Sequence, residues 1–156
     1  MQITLTNAKD LATVVAAVIA LATLVKGVIE YAHQGAQKRA EQFIDMRKRL
    51  NENPTFTVIC DLLETDDSKL ASMPFNEKRD FLGLFEEVAL MLNSGLIKES
   101  VAHYMFGYYA IRCAHSKNFW NVVNRQSSYW ALFNDFVTRM ERVEEEFKFD
   151  RRELRF

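Results

Sequence analysis

Residues 11–25, LATVVAAVIALATLV, carry no charge, and this run constrains the fold more than any other part of the chain. Asp10 precedes it and Lys26 follows. If the Lys26 ammonium snorkels, the apolar stretch extends to Ile29, and a helix of that length rises about 28 Å, close to the ~30 Å hydrocarbon core of a bilayer. The hydroxyls of Thr13 and Thr23 are the only side-chain polar atoms in the run, and both can bond back to helix carbonyls. A buried core helix is one alternative, but such a helix normally keeps a polar stripe. A cleaved signal peptide is another, but only Lys9, beside Asp10, stands before the run, and no small-x-small cleavage pattern follows it. The sequence predicts a transmembrane helix within residues 1–30.

The flanks predict its direction. Lys9 is the one cation before the span, whereas Lys38, Arg39, Arg47, Lys48 and Arg49 follow it. Positive charge stays inside, so the N terminus is expected outside and the rest of the chain in the cytoplasm. Two cysteines, Cys60 and Cys113, cannot build a disulfide framework and fit a reducing compartment. On a wheel of about 100° per residue, Ala12, Ala16, Ala20, Thr23 and Gly27 share a stripe of about 80°, opposite Val14, Val18, Leu21, Val25, Val28 and Ile29. Small residues let helix backbones approach, so this stripe is the expected surface for self-association in the membrane.

Beyond the span the pattern is helical throughout, and 5 Gly and 2 Pro are too few for the turns that strands need. Residues 31–53 read as a juxtamembrane stalk helix with sparse apolar positions at Ala36, Ala40, Phe43, Ile44 and Leu50. Asn53-Pro54 ends it and can cap the next helix. Residues 54–156 form the expected cytosolic all-α domain. Residues 55–63 bury Phe56, Ile59, Cys60 and Leu63, and residues 64–72 form a loop. A helix over 74–93 buries Phe81, Leu84, Phe85, Val88 and Leu92 with Glu77, Lys78, Glu86 and Glu87 outward, and Gly95 caps it. Residues 98–115 form another helix, packing through Val101, Met105, Tyr108, Tyr109 and Cys113, in which Gly107 marks a close approach. Residues 117–124 are an aromatic connector. Residues 127–147 form the last long helix, with a heptad-like seam at Tyr129, Phe133, Phe136, Met140, Val143 and Phe147. A charged tail, 148–156, carries Phe149, Leu154 and Phe156 for packing on a neighbour.

Familiar chemistry is missing. No GxGxxG, GxxxxGK[ST] or GxSxG occurs, and Cys60, Cys113, His103 and His115 show no zinc-ligand spacing. Cys113 and His115, two apart on a helix, point about 200° away from each other. The ribonuclease pair of HEPN domains, an arginine and a histidine several residues apart, is absent as written. Arg112 and His115 stand too close in RCAH, and His103 follows Lys98, not an arginine. With 20 Lys+Arg against 21 Asp+Glu, the chain is not a basic nucleic-acid-coating protein, and no DNA is expected as a partner. What remains is a basic, polar and aromatic stretch: Arg112, His115, Lys117, Asn118, Trp120, Asn121, Asn124 and Arg125. Its cations could hold phosphates, its Asn side chains could pair with adenine edges, and Trp120 or Tyr109 could stack on a base. The competing reading is a solvated helix end whose cations complement the C-terminal dipole, with Trp120 in the core.

Residues 81–112, FLGLFEEVALMLNSGLIKESVAHYMFGYYAIR, resemble a recurring pattern in small bacterial single-span helical proteins of unassigned function. Its elements are the helix carrying Phe85-Glu86-Glu87-Val88-Ala89, the Gly95-Leu96-Ile97 turn and the FGYY run at 106–109. The layout as a whole looks like the small membrane effectors of type III and type VI-B CRISPR defence. The type III likeness implies a sensor of cyclic tetra-adenylate that oligomerises and perturbs the membrane. It is a likeness of architecture and size and carries no family residue onto this chain. The expectation is therefore an all-α, single-pass protein of the bacterial inner membrane: an oligomeric, non-enzymatic antiviral effector that senses a cyclic oligonucleotide, without cofactor or metal. The alternative is a membrane-tethered adaptor that docks a protein partner without ligand or pore. A third reading is a degenerate nuclease acting through His115 and Arg112.

Overall fold

Helix α1 runs from Leu5 to Glu52 without a break, because nothing between those residues interrupts an α-helix until Asn53-Pro54 does. The computed structural model describes residues 5–121 and 123–146, and among these every regular element is helical. The chain divides into two units, one ending at Lys38 and one beginning at Arg39. In the first, Leu11–Tyr31 is a 21-residue apolar helix, none of it buried. Its aliphatic side chains are all exposed, and the Thr23 hydroxyl donates to the Ile19 carbonyl at 2.8 Å.

The second unit starts inside α1, earlier than a boundary at residue 54. Phe43 and Leu50 are fully buried, and the Phe43 ring meets Phe106 edge to face at 5.2 Å. The last turns of α1 therefore belong to the core of this unit. Helix α2 (Pro54–Thr65) begins where the local chemistry predicts: Asn53 Oδ1 accepts from the Thr55 and Phe56 N–H groups, with Pro54 in the first turn. It buries Phe56, Ile59, Cys60 and Leu63, as their spacing predicts. Residues 64–72, expected as a loop, instead extend α2 to Thr65 and add a single turn, α3 (Lys69–Ser72). Helix α4 (Phe75–Asn93) buries the predicted Phe81, Leu84, Phe85, Val88 and Leu92. Gly95, at φ +65°, then lets the Leu96 N–H reach back to the Met91 carbonyl at 2.9 Å. Phe85 joins α4 to Phe133 and Phe136 of α7 (Ala131–Glu146), at ring separations of 5.9 and 6.3 Å.

Lys78 is a correction. Its place on α4 reads as outward, but it is buried, and its Nζ donates to the Phe119 carbonyl at 2.9 Å. The connector after residue 115 folds over the first turns of α4 and turns that carbonyl inward. Burial holds the Lys78 amine below its usual range, against a smaller upward pull from Cys113.

The single helix expected over 98–115 is α5 (Glu99–Ala102), a π turn (His103–Gly107) and α6 (Tyr108–His115). The extra residue per π turn rotates α6 about its axis, so Tyr108 is half-exposed while Ala110, Cys113 and Ala114 enter the core. The Arg47 guanidinium of α1 donates to the Met105 carbonyl within the turn. At Gly107 a Cβ would stand 2.7 Å from the His103 ring, so a larger residue there would force that ring to move. The last helix also starts later than its pattern predicts. Ser128–Trp130 form a 3-10 turn before α7 (Ala131–Glu146), which buries Trp130 and leaves the seam position Tyr129 83% exposed. Phe133, Phe136 and Met140 are buried as expected; Phe147 and the tail at 148–156 lie outside the described residues.

Burial, then the Asp61 carboxylate, push the Cys60 thiol from 9.0 up to about 12, against a downward pull from Arg47. A thiol raised this way stays protonated in the fold after the unfolded chain has ionised. Its contribution is fully present below pH 9.0 and is lost as pH climbs toward 12. The deficit of Cys60→Ala in urea unfolding is therefore expected to shrink steadily between about pH 9 and pH 11. A deficit independent of pH over that range would contradict the assignment.

Candidate functional site

The basic and aromatic residues singled out by sequence lie around the C-terminal end of α6, where four carbonyls lack helical partners. Trp120 donates its Nε1–H to the Cys113 carbonyl at 2.8 Å. Arg125 donates through a terminal guanidinium nitrogen to the Ala114 carbonyl at 2.6 Å, and through Nε to Asn134 Oδ1 at 3.1 Å. Asn134 returns a bond to the Arg125 carbonyl. The Trp120 ring packs against Phe119, Trp130 and Phe133 at 5.4, 6.1 and 5.9 Å. Asn124 accepts from the Gln126 N–H in a local turn.

Arg112 and His115 leave this cluster in two directions. Arg112 reaches α2, where it donates to the Glu64 carbonyl at 2.9 Å, faces the Glu64 carboxylate at 3.6 Å and stacks over Tyr108 at 4.7 Å. The Tyr108 hydroxyl donates to the same carboxylate at 2.7 Å. His115 donates to Glu141 of α7 at 2.7 Å. Lys117 keeps an exposed side chain, and its backbone and that of Asn118 are directed at Asp66.

Asp66 is the residue that pattern reading missed. It ends α2 in the left-handed region, φ 49° and ψ 49°, a conformation that Asp tolerates better than most residues. Its carboxylate accepts from the Ser116 hydroxyl at 2.5 Å and from the N–H groups of Lys117 and Asn118 at 3.2 Å each. The Asn118 amide donates to the Asp66 carbonyl, and Ser116 Oγ accepts from the Phe119 N–H at 2.8 Å. Burial is the largest influence on the Asp66 carboxyl and would raise its pKa. The bonds from Ser116, Asn118 and Lys117 together outweigh it and hold the carboxyl below 3.8. The N–H groups that an outside anion would need are thus turned to an internal one.

Asp66→Ala is expected to destabilise the unit by about 2–3 kcal/mol, since it orphans a hydroxyl and two amides at once. Because the folded pKa is lowered, this contribution is present above pH 3.8 and lost as pH falls through the folded value. The gap between parent and variant in a urea titration should therefore close in acid. An equal gap at pH 7 and pH 3 would argue that the carboxylate charge is not involved.

Both thiols are poor nucleophiles at neutral pH, because burial keeps Cys60 and Cys113 protonated. Among the described residues no three His, Cys, Asp or Glu side chains gather as a metal-binding group. The chain matches no protein-family profile, no curated protein and no solved structure.

Proposed function

We propose that the chain is a single-pass membrane protein whose helical unit, on the cytosolic side, is a tethered docking module for a protein partner. The observation that carries the anchor is Leu11–Tyr31: a 21-residue helical stretch, apolar but for Lys26 and Glu30 near its end, with no part buried against the chain. Left in water, such a surface is far larger than the apolar patches that soluble monomers expose. In a bilayer it is solvated by lipid, and its backbone is satisfied within the helix. The excess of Lys and Arg after the span supports an external N terminus and a cytosolic helical unit. Protease protection in right-side-out vesicles tests this: the fragment beyond residue 38 should survive until detergent is added.

The docking reading draws its support from the fate of the basic and aromatic cluster. Trp120 and Arg125 close the end of α6, Arg112 and His115 pair with Glu64 and Glu141, and Asp66 occupies the amides of Lys117 and Asn118. A nucleotide would have to displace these partners before binding. Titrating the full chain in detergent with cyclic tetra-adenylate up to about 1 mM is therefore expected to leave its unfolding midpoint unchanged. A ligand present at 100 times its Kd would stabilise the fold by about 2.7 kcal/mol.

A ligand-controlled, membrane-perturbing effector is the second reading, favoured by the small-residue face of the span. Ala12, Ala16, Ala20, Thr23 and Gly27 are exposed along α1, and no neighbouring atom stands within 4 Å of where a Gly27 Cβ would lie. Such a face permits close packing of several spans. A clear thermal shift with cyclic tetra-adenylate would promote this reading over the adaptor.

A further inference from the structure

Three donors converge on one carboxylate where the end of α2 meets the connector after α6. The Ser116 hydroxyl stands 2.5 Å from Asp66 Oδ1, and the N–H groups of Lys117 and Asn118 reach the two carboxylate oxygens at 3.2 Å each. Consecutive N–H groups turned toward one point make an anion-binding concavity. Ser116 is 5% exposed, so its hydroxyl is committed to the interior. Asp66 and Asn118 are half-buried, and the Lys117 side chain is exposed, with no ion pair among the described residues. The concavity is thus reachable from solvent and carries an unused cation on its own chain.

The donors are held from behind, by bonds in which the Asp66 side chain takes no part. The Ser116 N–H donates to the Arg112 carbonyl at 3.0 Å, and Ser116 Oγ accepts from the Phe119 N–H at 2.8 Å. The Phe119 carbonyl accepts from Lys78 Nζ at 2.9 Å, and the Trp120 indole is tied to the Cys113 carbonyl at 2.8 Å. The bond from the Asn118 amide goes to the Asp66 backbone carbonyl and survives any change of that side chain. Asp67, the next acid, turns its carboxylate to the Lys69 N–H at 2.8 Å. Removing the Asp66 carboxylate therefore leaves donors already in position. Asp66 itself sits at φ 49° and ψ 49°, a conformation that glycine adopts without strain. A residue serving only to end α2 would most readily be glycine. The carboxylate answers to the donors across from it.

We infer that residues 116–118 form an oxyanion pocket, fitted to a phosphate or carboxylate group, which Asp66 keeps closed as a built-in plug. An outside anion must compete with a carboxylate already in place, so the parent chain takes none at ordinary concentration, and vacating the plug converts the latch into a receptor. The pocket lies wholly within the helical unit, so the test reads it apart from the anchor and from any docked partner.

Urea unfolding of the full chain in non-ionic detergent at neutral pH is measured in sodium phosphate, at about ten times the Kd expected of such a site, and in sodium chloride of equal ionic strength. Phosphate strengthens folded states in general as an excluded salt, and the parent chain supplies that baseline. Asp66→Gly, which suits the left-handed turn and empties the pocket, should gain about ten-fold in its folding equilibrium from phosphate beyond the parent's gain, the effect of filling a site at about ten times its Kd. If the glycine variant does not fold, Asp66→Asn carries the same comparison. Its neutral plug leaves the pocket without a resident charge, and phosphate should still favour its folded form at least about two-fold more than the parent's. A folded variant that responds to phosphate no more than the parent overturns the inference.

Discussion

Val18→Arg combined with Leu21→Arg will move the full chain from the carbonate-resistant membrane pellet to the supernatant. Leu21 lies at the middle of Leu11–Tyr31, and Val18 is one turn away on the same bulky face. Both side chains are exposed, at 62% and 60%, so neither substitution removes a contact within the chain. In a bilayer each arginine near the centre of a span costs about 2.5–3.5 kcal/mol of insertion free energy, and the pair about 5–7 kcal/mol. The two arginines cannot both snorkel to an interface about 15 Å away. In water the same changes replace exposed aliphatics by charges, which costs little and favours solubility. The direction of the shift therefore reports the solvent around this helix. A parent chain already in the supernatant, or a double variant still resistant to carbonate, removes the anchor. Val18→Leu with Leu21→Val is the control and should stay in the pellet.

The parts of the fold that were legible share one property: their causes are local. Asn53 and Pro54 start α2, Gly95 stops α4, and the 3.6-residue spacing of Phe81, Leu84, Phe85, Val88 and Leu92 fixes which face of α4 is buried. The features that escaped are set by neighbours distant in sequence. Lys78 is bonded to Phe119, 41 residues away, and Asp66 to Asn118, 52 residues away, and no window of sequence contains both partners. The π turn at His103–Gly107 is likewise held from outside, by Arg47 of α1 and by the packing of Phe106 on Phe43. The start of α7 moved because Trp130 is buried by Trp120 and Phe75, which only tertiary packing brings to it. The candidate site failed to separate for a related reason. Cations, amides and an indole suited to hold a phosphate and a base are the same groups suited to close a helix C terminus, and composition alone does not distinguish them.

Trp120 distinguishes these two roles by magnitude. As a stacking platform for a ligand, its loss would remove binding and leave the fold nearly as stable as before, since surface substitutions usually stay within about 0.5 kcal/mol. In the structure the indole lies among Phe119, Trp130 and Phe133, and its N–H serves the Cys113 carbonyl. Trp120→Ala should therefore cost about 3–5 kcal/mol from the cavity, and about 1 kcal/mol more from the lost hydrogen bond. Against a total stability of order 5–15 kcal/mol, a loss of that size brings the helical unit close to unfolding at ordinary temperature. Trp120→Phe keeps most of the ring packing and forfeits the N–H, so about 1–2 kcal/mol is expected. Lys117→Ala, which removes an exposed side chain and keeps the backbone N–H that Asp66 accepts from, should change stability by less than about 0.5 kcal/mol. Urea unfolding followed by far-ultraviolet circular dichroism orders the three variants. The sequence Ala, then Phe, then Lys117→Ala in decreasing damage identifies the indole as the plug of the α6 terminus. A Trp120→Ala chain as stable as Lys117→Ala would return it to the surface as a candidate ligand platform.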